Sequence, residues 1–165
     1  MRQLLLASLL LIPLAAHAKP VKHRSRVKHA KKKAVVNVKW YSNFDEAAKV
    51  ARRTGRPMFV DFYTDWCVAC KYLDRTTYRD PKFARVARRW VLVKVNAEKG
   101  ARNIQIAQKY RPEYFPTMLM VDGRGKKLNQ VVGTYPASML LPEMRKAEKN
   151  MGVLFARSPR ASHAG

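Results

Sequence analysis

The sequence predicts an α/β protein in which a central mixed β-sheet is covered by helices on both faces. Short apolar runs, Met58 to Tyr63, Val91 to Val95 and Thr117 to Val121, alternate with segments whose apolar residues recur every three or four positions. Asp122-Gly123-Arg124-Gly125 then joins two strands directly, adding a hairpin to a strand–helix alternation. The only two cysteines, Cys67 and Cys70, follow one of the apolar strands and open a helix. Open α/β sheets place their sites at such strand ends.

Val35 to Trp40 alternates weakly and reads as a first short strand. Ser42 or Asn43 caps a helix whose inward face is Phe44, Ala47, Ala48 and Ala51. The Gly55 and Pro57 of Thr54-Gly55-Arg56-Pro57 stop it. Met58 to Tyr63, apolar and flanked by breakers, is expected to be a buried central strand. The C-x-x-C pair opens a helix running to about Thr77, and Asp80-Pro81 restarts a helix through Trp90, with Phe83, Val86, Ala87 and Trp90 on one face. Val91 to Val95 is the next strand, Ala101 to Tyr110 a helix, and Thr117 to Val121 a strand that the hairpin joins to Lys127 to Val132. Ala137 to Asn150 closes the fold as a helix, giving the order β-α-β-α-β-α-β-β-α with no internal repeat.

The folded domain is expected over residues 38–152, with distinct flanks. Residues 1–18 read as a secretory signal: Arg2 supplies a positive start, Leu4 to Leu14 is apolar, and Ala16-His17-Ala18 is an A-x-A cleavage site. The apolar run is too short for the ~20 residues of a spanning helix. Export to the periplasm of a bacterial envelope follows. Residues 19–37 are Lys-, Arg- and His-rich without apolar periodicity and read as a disordered basic arm. Residues 153–165 read as a loose tail.

The formal net charge is +23. Residues 19–39 hold nine Lys or Arg and no acid. A charge of this size attracts polyanions and anionic lipid or lipopolysaccharide surfaces. Nucleic acid is disfavoured as a partner, because the arm from Lys19 to Lys39 has no aromatic residue to stack on bases and export removes the chain from DNA and RNA.

In an oxidising compartment a cysteine pair becomes a disulfide. A structural disulfide stabilises more when it closes a longer loop, so a C-x-x-C ring is a poor staple and reactivity explains it better. A tetrahedral zinc site needs four ligands. His17, His23, His29 and His163 all lie outside the folded part, so no metal is expected. A helix N-terminus stabilises a thiolate. Cys67, preceding the helix, is therefore the expected attacking thiol, facing solvent. Cys70, one turn in and more buried, is the resolving thiol. Asp61 is an acid in an apolar strand; burial would raise its pKa and suit it to accept the proton of Cys70. The alternative is a strand-end acid reaching solvent. Asp74, four residues after Cys70, shares its helix face, the alternative being an ordinary solvated helix acid. Trp66 reads as a shield of the disulfide and part of a docking surface, or else as a packing aromatic.

The run Asp61-Phe62-Tyr63-Thr64-Asp65-Trp66-Cys67-Val68-Ala69-Cys70-Lys71, followed by Phe115-Pro116-Thr117 before a strand, resembles the thioredoxin superfamily over roughly residues 38–150. It is most similar to the C-terminal periplasmic thioredoxin-like domain of the bacterial thiol:disulfide interchange (Dsb-system) electron transducer. The resemblance implies a thioredoxin fold and thiol–disulfide oxidoreductase activity without a cofactor. It supports Asp61 as proton acceptor, implies that Asp74 tunes the thiols, and makes Pro116 a cis-proline whose loop leaves backbone groups free to pair with substrate. Strongly oxidising members often carry a His between the cysteines. Val68 and Ala69 stand there instead, which favours a reductase.

The expected partners are envelope proteins with disulfides, including apocytochromes c, and a membrane thiol electron donor, since the chain lacks the transducer's membrane-spanning core. Two other readings stay open: a membrane- or polyanion-binding module in which the arm dominates, and a disulfide oxidase or isomerase.

Overall fold

A computed structural model describes the backbone of residues 38–157 and the side chains of residues 38–152. The expected signal segment, the basic arm, the first residues of the predicted opening strand, and residues 158–165 lie outside that range. Among the described residues, five strands form one sheet: β1 (Trp40–Tyr41), β2 (Met58–Tyr63), β3 (Val91–Asn96), β4 (Thr117–Val121) and β5 (Lys127–Val132). Their spatial order is β1-β3-β2-β4-β5. β1 and β2 run parallel to β3, whereas β4 is antiparallel to both β2 and β5. The hairpin is what makes the sheet mixed.

Helices α1 (Phe44–Thr54) and α4 (Ala101–Tyr110) cover one face, and α2 (Val68–Arg75), α3 (Pro81–Ala87) and α5 (Ala137–Arg157) cover the other. The alternation of a strand explains why two cores result. In β2, Met58, Val60 and Phe62 enter the α1/α4 core, while Phe59 joins Leu73, Tyr78, Phe83, Leu92 and Leu140 on the opposite side. Each fully buried Phe contributes about 1.5–3 kcal/mol relative to exposure.

Local signals set most boundaries. The Asn43 side chain accepts from Glu46 N–H at 3.1 Å, Asp45 and Glu46 occupy the positive first turn of α1, and Gly55 closes it with φ 67°. Asp80 caps α3 by accepting from Lys82 N–H at 2.6 Å, with Pro81 at the first helical position.

Four boundaries differ from expectation. Among the described residues the opening strand covers Trp40–Tyr41, not Val38 or Lys39, because pairing with Leu92 and Val93 of β3 defines it. The helix after Cys70 stops at Arg75, followed by a 3-10 turn over Thr77–Arg79. α3 ends at Ala87 rather than Trp90, whose indole instead donates to Glu148 of α5 at 3.0 Å. α5 continues to Arg157, past Asn150 and into the stretch read as a tail.

Candidate active site

The parallel strands β1, β2 and β3 end on one edge of the sheet, and the cysteines lie just beyond β2. Cys67 is the N-cap of α2 and Cys70 its third residue; the two form a disulfide. Cys67 Sγ accepts from Cys70 N–H at 3.0 Å, and Cys67 N–H donates to the Thr64 carbonyl at 3.3 Å. One free N–H of the helix start is thus aimed at the first sulfur, where it stabilises negative charge. The expected contrast in exposure is absent in this disulfide form: Cys67 is 3% and Cys70 2% exposed.

The surroundings are apolar and open. Trp66 is 65% exposed and Val68 74%. The Trp66 indole donates to Glu98 at 2.9 Å and meets Phe115 edge-on at 6.1 Å between centroids, so it is not a core aromatic. Glu98 is held in turn: Asn96 Oδ1 accepts its N–H at 3.1 Å, and Asn96 Nδ2 donates to Asp65 at 2.8 Å. The Phe115–Pro116 peptide is cis, and the Pro116 carbonyl accepts from Gly133 N–H at 2.8 Å.

Beneath α2 lies an ionic cluster. Asp61 is fully buried in β2. Its register partner on β3 is Lys94, whose Nζ donates to Asp61 Oδ2 at 2.8 Å and to Asp74 Oδ1 of α2 at 2.5 Å. Lys94 also sits over the rings of Trp40, Tyr63 and Tyr78, at 5.3, 5.2 and 5.3 Å from their centroids. At these separations each ring face attracts the ammonium. Asp61 Oδ1 and the Tyr78 hydroxyl are both buried, and neither has a partner in hydrogen-bonding geometry.

Burial pushes the Asp61 carboxyl above its usual range; Lys94 pulls against this without reversing it, and Asp74 adds to the rise. Burial also lifts the Tyr78 phenol well above its ordinary value, with Asp61 adding to the lift. For Lys94 burial alone would lower the pKa, but the Asp61 and Asp74 carboxylates outweigh it and raise it. A groove of about 450 Å³, lined in part by Trp40, Tyr63, Lys94 and Asn96, reaches the cluster at Lys94, while Asp61 stays fully buried behind it.

The structure therefore brings Asp61 and Asp74 together through a residue that sequence reasoning missed. Lys94 was legible as an oddity, the one charged residue inside the apolar run Val91-Leu92-Val93-Lys94-Val95. Its pairing with Asp61 depends on strand register. Glu98 carried no signal at all. Among the described residues, no group of three or more His, Cys, Asp or Glu side chains could hold a metal ion, and no helix is long and apolar enough to cross a membrane.

The thioredoxin-like family profile matches residues 39–123. A thiol:disulfide interchange protein DsbD from Ralstonia nicotianae is 33% identical over 112 residues, covering 67% of this chain and 18% of that protein. The chain spans about a fifth of the length of the curated relatives it matches. Among solved structures, a thioredoxin from Thermus thermophilus superposes with a TM-score of 0.64 at 23% identity, over 77% of this chain and 98% of that one. A candidate disulphide-isomerase from Bacteroides thetaiotaomicron gives 0.58 at 30% identity, over 69% and 93% respectively. The chain belongs to the thioredoxin-like family and carries its Cys67–Cys70 disulfide at the N-terminus of α2.

Proposed function

We propose that the protein is a periplasmic reductase of disulfides in envelope proteins, exported by the signal in residues 1–18. The reading rests chiefly on the placement of the C-x-x-C pair, with Cys67 at the helix N-cap and its sulfur accepting the Cys70 N–H. In the reduced protein the Cys67 thiolate attacks one sulfur of a substrate disulfide. A mixed disulfide forms and one substrate thiolate leaves, taking up a proton from water. Asp61 accepts the Cys70 proton, and the Cys70 thiolate attacks Cys67 Sγ. The second substrate thiolate leaves and the Cys67–Cys70 bond closes, so two electrons have passed to the substrate.

Asp61 suits this part because burial raises its pKa, which favours taking up a proton, and its Oδ1 is buried without a hydrogen-bond partner. Asp74 and Lys94 position that carboxylate and tune it. Trp66, held by Glu98 and Phe115, presents an apolar platform beside the disulfide, and the loop of Pro116 offers backbone for an extended substrate segment. A membrane thiol donor returns the electrons; the DsbD likeness supports such a donor, and apocytochromes c are candidate substrates. The apolar Val68-Ala69 between the cysteines favours reduction over oxidation.

Two measurements test this. Cys70→Ser leaves Cys67 unable to be resolved, so covalent adducts with envelope proteins accumulate and are released by dithiothreitol; an extract without adducts counts against the exchange mechanism. Equilibration with glutathione buffers should give a potential at or below about −200 mV, whereas a value near about −120 mV would make the protein an oxidant.

A further inference from the structure

At the other end of the molecule, where β2 begins at Met58, a second cleft of about 300 Å³ separates α1, α4 and the β4–β5 hairpin. Four cationic side chains line it: Arg52 from the last turn of α1, Arg102 and Lys109 from α4, and Arg124 from the hairpin. Arg102 is already engaged, donating to both oxygens of Asp45 at 2.7 Å. Arg52, Lys109 and Arg124 make no ion pair with any described residue. Asp45 is the one acid in the lining, and it is already bound by Arg102.

The cleft is built, not a chance gathering of surface lysines. Gly123 lets the hairpin approach α1 so closely that a Cβ there would lie 3.0 Å from Arg52 N and 3.1 Å from the Ala51 carbonyl carbon. The Tyr110 hydroxyl donates to the Gly125 carbonyl at 3.0 Å and fixes the hairpin to α4. Asp122 Oδ1 accepts from Arg124 N–H and Lys126 N–H, both at 2.8 Å, which shapes the turn carrying Arg124. Three elements thus hold cations around one concavity with no close ion pair among the described residues, Arg52 acting on Asp45 only at longer range and Lys109 lying 5.1 Å from the Tyr110 ring centroid.

We propose that this cleft binds phosphate groups. Guanidinium forks match phosphate oxygens in bidentate geometry, and several converging cations are needed to replace the water lost on binding. The six residues of β2 span about 20 Å between the cleft and the strand end that leads to Cys67. A protein held here by phosphates keeps the disulfide directed away from what holds it. The site is independent of the direction of electron flow and of the basic arm.

The test uses the full oxidised chain and two triple variants of equal charge. One carries Arg52→Gln, Lys109→Gln and Arg124→Gln; the other carries Lys82→Gln, Arg145→Gln and Lys149→Gln on α3 and α5. All six side chains are exposed, so both variants should fold, which circular dichroism and an unchanged insulin-reduction rate would verify. Binding is measured to inorganic phosphate, by chemical-shift titration, and to phosphatidylglycerol vesicles against phosphatidylcholine vesicles, by sedimentation. The cleft variant should lose about five-fold in affinity per residue removed, whereas the α3/α5 variant keeps wild-type binding. Cleft-dependent binding to phosphatidylglycerol alone identifies a lipid headgroup; cleft-dependent binding to inorganic phosphate alone identifies a soluble anion. Equal losses in both variants, or no loss in either, would overturn the proposal.

Discussion

At the scale of single residues, the decisive contact is between Asp61 and Lys94. A carboxylate with no solvent exposure and one unpartnered oxygen is costly to keep charged, and its pKa is raised accordingly. The unfolded chain titrates this group near its ordinary value of about 3.9. Between that value and the raised one the folded state binds more protons than the unfolded state. The contribution of Asp61 to stability is therefore complete below the unfolded pKa and is lost as pH rises through the folded one. Asp61→Asn removes this component. Urea unfolding of wild type and variant from about pH 4 upward should show a gap that shifts in favour of the variant as pH rises from the unfolded pKa towards the raised folded one. A gap that does not change with pH would mean the carboxylate is not titrating as its burial implies. Lys94 acts in a different window: its raised pKa keeps its stabilisation intact through neutral pH and loses it only above the ordinary lysine range.

At the scale of elements, caps and turns were readable and endings set by packing were not. Asn43, Gly55 and Asp80 announced the limits of α1 and the start of α3, because each satisfies or terminates the backbone locally. The break between α2 and the 3-10 turn carries no Gly or Pro; Thr76 N–H bonds back to both Tyr72 and Leu73 carbonyls and tightens the last turn. The spacing of Trp90 predicts a helical position, yet its indole is satisfied by Glu148, which Arg89 also clamps at 3.0 Å. The hairpin gives a direct test of packing between elements. In Gly123→Ala the new methyl meets α1 backbone rather than a yielding side chain, so the variant should lose about 1–3 kcal/mol in chemical denaturation. Wild-type stability in that variant would show that the hairpin stands further from α1.

At the scale of the whole molecule, charge is the dominant property. A formal net charge of +23 in 165 residues produces a field that acts well beyond any one contact at low salt. Because screening shortens from about 30 Å at 0.01 M to about 3 Å at 1 M, retention of the full chain on a phosphate-bearing resin should be strong at low salt and lost by about 1 M. Exchange of the dithiol with a small neutral disulfide should change little over the same range. Retention that survives high salt would point to apolar rather than electrostatic attachment.

Local patterning along the chain specified the alternation of strands and helices, the hairpin, and the C-x-x-C pair at a helix start, because these depend on periodicity, breakers and spacing within a few residues. It also marked Asp61 as anomalous, an acid within an apolar strand. What answers that acid depends on the folded arrangement. Lys94 is 33 residues away in the chain and becomes its neighbour through parallel register, while Asp74 reaches the same ammonium because α2 packs over that face. The basic cleft arises in the same way, from cations on α1, α4 and the hairpin that share no sequence pattern. Both sites join side chains across elements, and such proximity is fixed by sheet order and helix packing rather than by any local signal.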